Sequence, residues 1–153
     1  MPREKIPPVL VGVAGEYYVA AELSRRGLIA SISLRNTRGM DILVTNQDGS
    51  RSVTIQVKTS QKKGTSWLLH KKAESFVSRN HFYVFVRLGK RNERAIFHIV
   101  PSKVVAKYIK KSHRRWLARP GKGGRPHNDS TMRQFKDREE EYVEKWELLK
   151  LGK

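Results

Sequence analysis

The chain has 153 residues, 32 Lys+Arg against 14 Asp+Glu for a formal net charge of +18, a hydrophobic fraction of 38% and no cysteine. That is enough apolar sequence to bury a core, which excludes a disordered basic tail, while the missing thiols exclude disulfide scaffolds, thiolate metal sites and cysteine nucleophiles. No run approaches the roughly 20 apolar residues that span a bilayer, and Met1-Pro-Arg-Glu-Lys5 lacks the apolar core of a signal peptide, so a cytoplasmic protein is expected.

Along the chain, Val9, Val13, Tyr17, Ala20, Ala21 and Leu23 approximate a helical stripe over residues 8–26, ended by Gly27. Residues 28–34 read as a first strand. Residues 41–45 and 52–58 read as two more, joined around Asp48-Gly49, a strong short hairpin signal. A short helix is expected over 71–78, strands over 81–88 and 94–100, and a helix over 102–112 that starts at Pro101. The Gly-, Pro- and Arg-rich stretch 119–129 reads as a long basic loop. A last helix is expected near 137–150, with Tyr142, Trp146 and Leu149 on one side. No repeat or linker divides the chain, so residues 1–153 are taken as one α+β domain, with a core at about 8–100 and a basic loop and helical extension over 101–153.

The charge is concentrated. Residues 1–60 net +3, residues 61–136 net +17 and residues 137–153 net −2. Lysines and arginines that neutralise phosphates release condensed counterions, so nucleic acid is the first candidate partner and an anionic membrane surface the second, with no membrane insertion expected. Lys62, Lys63, Lys71, Lys72, Arg114, Arg115, Lys122 and Arg125 are the expected phosphate contacts.

The hairpin also makes a prediction about chemistry. With a two-residue loop at Asp48-Gly49, partners on the two strands have numbers adding to 97, and Asp41 lies opposite Gln56. Side chains alternate along a strand, so Gln56 and Lys58 share that face while Val53, Ile55 and Val57 take the other. Glu16 borders the helix face that packs on the sheet and needs a partner there. Two carboxylates, an amide oxygen and an ammonium suit a hard divalent cation with a lysine beside it.

Gly12-Val-Ala-Gly-Glu16-Tyr-Tyr-Val-Ala-Ala-Glu-Leu-Ser-Arg-Arg-Gly27, Gly39-Met-Asp41-Ile-Leu-Val and Ile55-Gln-Val-Lys58-Thr together resemble the PD-(D/E)XK nuclease superfamily, particularly its archaeal Holliday-junction-resolvase-like branch, over roughly residues 10–60. The resemblance implies a restriction-endonuclease-like αβββαβ core, a central mixed sheet flanked by helices. It implies an Mg²⁺- or Mn²⁺-dependent endonuclease acting on DNA, branched or structured DNA included. Glu16, Asp41, Gln56 and the Val57 carbonyl would hold metal, and Lys58 would be the catalytic lysine. Gln56 departs from the common pattern, which has a carboxylate there, although Gln-x-Lys is a tolerated variant. Two active sites cutting two strands would favour a homodimer. The rival readings are a non-catalytic nucleic-acid-binding protein on the same fold and a basic RNA-binding protein.

Other motifs carry less. Trp146 is expected in the core, and Trp67 is balanced between core and base stacking. His70, His81, His98, His113 and His127 show no metal-ligand spacing, and Gly121-Lys-Gly-Gly124 lacks the surroundings of a phosphate-binding loop.

Overall fold

The first helix, α1 (Pro8–Arg25), begins with a proline in its first turn, where the missing N–H costs nothing, and ends before Gly27, whose φ of 78° suits a residue without a Cβ. The structure, a computed structural model, describes residues 5–34 and 39–152. α1 buries Val11, Gly15, Val19, Glu22 and Leu23, a stripe at helical spacing. The sequence pointed to a neighbouring face, but Val9 and Tyr17 lie in solvent at 65% and 64% exposure. The small Gly15, which lets the helix backbone touch the sheet, outweighs the larger apolar residues beside it.

Five strands form the central sheet: β1 (Ile29–Ile32), β2 (Ile42–Thr45), β3 (Ser52–Ser60), β5 (His81–Arg87) and β6 (Ile96–Pro101), in the order β1-β2-β3-β5-β6. All neighbours are antiparallel except β3 and β5. That parallel pair needs a crossover, made here by β4 (Ser66–His70) and a single 3₁₀ turn at Lys71–Glu74, where the sequence suggested a helix to residue 78. β5 is buried on both faces from His81 to Val86, as an almost uninterrupted apolar run requires. Its even-numbered Phe82, Val84 and Val86 join Val53, Ile55 and Val57 in a core with α1, and its odd-numbered Tyr83 and Phe85 join a second core with the helix α2 (Ser102–Ala118).

β7 (Met132–Lys136) pairs antiparallel with β4 in a separate two-stranded ribbon. Neither strand is expected from the sequence: Ser-Trp-Leu-Leu-His and Met-Arg-Gln-Phe-Lys contain no β-branched residue, and no short turn joins them.

The expected helix over 137–150 is not formed. Asp137 accepts the Glu141 and Tyr142 amides on its carboxylate (3.0 and 3.1 Å), Glu140, Glu144 and Lys150 take positive φ, and only Trp146–Leu149 make a 3₁₀ turn. Residues 142–144 instead lie along the edge of β6, with the Ile99 amide on the Tyr142 carbonyl and the Glu144 amide on the Phe97 carbonyl (2.9 and 2.8 Å). Trp146 and Leu149 are buried in the core with α1, while Tyr142 packs against the core with α2, so the three do not share one side. An open sheet edge offers those amides and carbonyls better partners than a short acidic helix does.

Candidate active site and nucleic-acid interface

The ladder between β2 and β3 pairs Ile42 with Ile55, Leu43 with Thr54, Val44 with Val53 and Thr45 with Ser52, the register expected from the sequence. The loop differs. The Asn46 amide bonds to the Arg51 carbonyl (3.1 Å) and the Gly49 amide to the Asn46 carbonyl (3.1 Å), leaving residues 47–50 as the loop instead of two residues. Both loops are centred between Asp48 and Gly49, so the register survives the change of turn.

Asp41 stands just beyond the last pair of that ladder and grips β3 in two ways. Its amide donates to the Ile55 carbonyl (2.8 Å), and its Oδ2 accepts the Val57 amide (2.7 Å). Its own carbonyl accepts the Ser33 amide (2.8 Å), so Asp41 is tied to both flanking strands. Val57 lies between Gln56 and Lys58, and the carboxylate is therefore clamped to the short stretch that carries both. Burial pushes the Asp41 carboxyl above its usual range, while the Val57 N–H and the Lys58 ammonium pull it part of the way back.

Gln56 and Lys58 lie on the face of β3 opposite Ile55 and Val57. They line a cleft of about 550 Å³ together with Tyr83, His70 and Lys72. Tyr83 pairs with Gln56 across the parallel β3–β5 ladder, and burial pushes its phenol up to about 12. Tyr83 and His70 were missed from the sequence, because neither the parallel pairing nor β4 could be read from it. Glu16 is half-buried on α1. It follows Gly15, where a Cβ would stand 1.7 Å from Thr59 Oγ1, so the helix turn bearing Glu16 is pressed against the residue after Lys58.

Among the described residues, no three His, Asp or Glu side chains gather as a metal cluster. The oxygen donors that β2 and β3 could offer a cation are the Asp41 carboxylate, the Gln56 amide and the Val57 carbonyl; Glu16 lies on α1, which packs on the Ile55 and Val57 face of the sheet. That set is all hard oxygen, which fits Mg²⁺ or Mn²⁺ and not a softer metal.

The cations expected to hold phosphate are spread over several places. Lys72 lines the cleft of Gln56 and Lys58. Lys62 and Lys63 sit with Arg87, Lys90 and Arg94 around a smaller hollow of about 310 Å³. Arg115 lines a third cleft beside α2. Lys71, Arg114, Lys122 and Arg125 are exposed and border none of these. Trp67 is 3% exposed and its Nε1 donates to the Val86 carbonyl (3.1 Å), which settles it as core. Trp116 is 42% exposed and stacked between His113 and His127, with centroids 5.6 and 4.0 Å away. His113 Nε2 lies 2.8 Å from Asp129 Oδ1, so the basic loop is docked on the end of α2.

The helix, the mixed five-stranded sheet and the second helix on the opposite face together are the restriction-endonuclease-like fold of nucleases. The chain is similar in structure to a bacterial homing endonuclease, I-Ssp6803I, at 19% sequence identity, covering 97% of this chain and 95% of that one with a TM-score of 0.57. It is also similar to Hjc, a Holliday junction resolvase from the archaeal hyperthermophile Archaeoglobus fulgidus, at 14% identity over 82% of this chain and 84% of that one, with a TM-score of 0.43. No family model and no curated protein matches the sequence.

Proposed function

We propose that the protein is a metal-dependent endonuclease that hydrolyses phosphodiester bonds in DNA. The observation that carries this reading is the clamp of Asp41 Oδ2 on the Val57 amide, which fixes a carboxylate against the stretch whose Gln56 and Lys58 line a cleft with Lys72. The nuclease fold and the net charge of +18 support it.

Asp41 Oδ2 is committed to the backbone, which leaves Oδ1 as the oxygen offered to a cation; Gln56 Oε1, the Val57 carbonyl and Glu16 complete the donor set. When bound, Mg²⁺ or Mn²⁺ supplies a Lewis acid for the phosphate and eases deprotonation of a water. The Lys58 ammonium, close enough to influence Asp41, orients the attacking water and stabilises the charge that develops on the phosphorus oxygens. Lys72, on the rim of the same cleft, neutralises the phosphate being cut or its neighbour. Gln56 supplies an oxygen without a charge, so cation affinity rests more heavily on Asp41 and Glu16 than in a site with a third carboxylate.

The test is incubation of supercoiled plasmid and four-way-junction DNA with the protein in Mg²⁺, Mn²⁺ or chelator. Cutting that appears with either metal and stops with chelator is the expected result. Binding without cutting at every metal concentration would replace this reading with a non-catalytic DNA-binding protein, the alternative that Gln56 favours.

A further inference from the structure

The ribbon of β4 and β7 has one face in the core and one in solvent. Trp67, Leu69, Arg133 and Phe135 point inward, while the pairs Ser66–Lys136, Leu68–Gln134 and His70–Met132 face out, with Leu68 59% and Met132 47% exposed. No other element covers this outer face among the described residues. Two apolar side chains interleaved with an amide, an imidazole and an ammonium make a poor protein interface, but they are the groups that meet base edges. An amide pairs with adenine, a lysine with guanine, and an aliphatic side chain with the thymine methyl.

The surroundings narrow the partner further. The outer face opens on a cleft of about 700 Å³ beside α2, and its charged walls are basic throughout, including Lys111, Arg115, Arg119, Lys136 and Arg138, with no carboxylate among the lining residues. His70, the last residue of β4, also lines the cleft of Gln56 and Lys58, while its ladder partner Met132 lines the cleft beside α2. A single track thus runs from the candidate active site across the ribbon to the basic wall of α2. Two strands about 5 Å apart with their side chains make a slab that fits a major groove about 12 Å wide.

We propose that the outer face of the β4–β7 ribbon enters the major groove of duplex DNA and reads base edges, chiefly through Gln134 and Leu68, while the basic wall beside α2 holds the flanking phosphates. The inference rests on the reading of the protein as a DNA nuclease and adds to it sequence preference and the residues that set it. Gln134 donates to Ser66 Oγ, so its amide is held in place by its neighbour before any DNA arrives.

The experiment selects binders, in chelator so that nothing is cut, from a pool of duplexes with a randomised central stretch, using the whole protein and its Gln134→Ala, Leu68→Ala and Lys111→Ala variants. Thermal melting first establishes that each variant is folded, as exposed positions should be. The native protein is expected to enrich a motif. Gln134→Ala and Leu68→Ala are each expected to lose the base preference at one or two positions, with affinity for the enriched duplex falling on the order of tenfold. Lys111→Ala is expected to weaken all duplexes by a common factor and leave the motif intact. A motif unchanged in both ribbon variants, or no motif with the native protein, would overturn the proposal. Plasmid cutting in Mg²⁺, read in parallel, separates the two readings: a plasmid that is cut with an unchanged motif removes only the ribbon, and a plasmid left intact while the ribbon variants lose the motif removes only the nuclease.

Discussion

Asp41 is a carboxylate under opposing forces: burial raises its pKa, and one backbone amide and one lysine lower it. In the proposed metal-dependent site a cation would be the third stabiliser, and Gln56 would set how tightly it is held. Gln56→Glu adds a charge at the second acidic position, so the Mg²⁺ concentration for half-maximal cutting should fall, and saturating Mg²⁺ should raise the melting temperature more than in the native protein. An unchanged metal requirement would mean that residue 56 is not a ligand. His81 makes a separate statement about pH. It is 2% exposed, with Nδ1 on Thr54 Oγ1 at 2.8 Å and no partner for Nε2, and burial lowers its pKa to about 4 from an ordinary 6.5. Between those values the unfolded chain binds a proton that the folded chain does not. The contribution of the neutral imidazole is therefore complete above about pH 6.5, declines as the pH falls and is gone below about 4. Its size is at most about 3 kcal/mol. Burial lowers the pKa of His98 as well, with partial compensation from Asp137, so it acts in the same direction. Urea midpoints at pH 7 and pH 4.5 should show a smaller acid loss for His81→Asn than for the native protein.

At the scale of elements, the closest approach in the fold joins α1 to β3. Gly15→Ala would set a methyl 1.7 Å from Thr59 Oγ1 and 2.8 Å from Thr59 Cβ, neither of which can swing away as a long side chain could. The variant should lose about 1–3 kcal/mol in denaturant unfolding, as overpacked sites do, and should move the turn that carries Glu16 away from β3. A neutral result would mean that α1 can shift at no cost. Gly15 also shows what the sequence could and could not reveal. The helix was legible from its apolar spacing, but the stripe that faces the sheet is set by a glycine that counts as nothing in a hydrophobic pattern. The β2–β3 hairpin was legible because alternation and an Asp-Gly pair fix a register through local chemistry, and with it came Asp41, Gln56 and Lys58. β4 and β7 were illegible because their stability comes from pairing across more than sixty residues of sequence, from Ser66 to Lys136. The acidic segment after Asp137 carried a helical spacing and was taken over by the edge of β6.

For the whole molecule, many of the carboxylates are committed to internal ties. Glu22 holds Arg25, Arg26 and Arg94, Glu144 meets Arg26 and Arg94, Glu74 holds Arg133 and Glu140 holds Arg87. Arg26 also lies over Trp146 at 4.5 Å, so these pairs fasten the end of α1 to the C-terminal segment. The cations between residues 61 and 136 are left to dominate the surface. DNA affinity should therefore fall steeply with salt, and alanine at any one of Lys62, Lys63, Lys71, Lys72, Arg114, Arg115, Lys122 or Arg125 should flatten the log–log slope by about 1 where that residue meets a phosphate. Affinity that does not respond to salt would contradict an electrostatic interface. Asp41 and Lys58 are proposed to perform the chemistry on DNA that the rest of the surface merely holds. The most direct measurement is single-turnover cutting of one duplex in Mg²⁺ by the native protein, Asp41→Asn and Lys58→Ala, each at a concentration shown to saturate the DNA. The account predicts cutting by the native protein and a loss of two orders of magnitude or more, about 3 kcal/mol or more, in each variant while the DNA stays bound. Cutting that persists in both variants would contradict it.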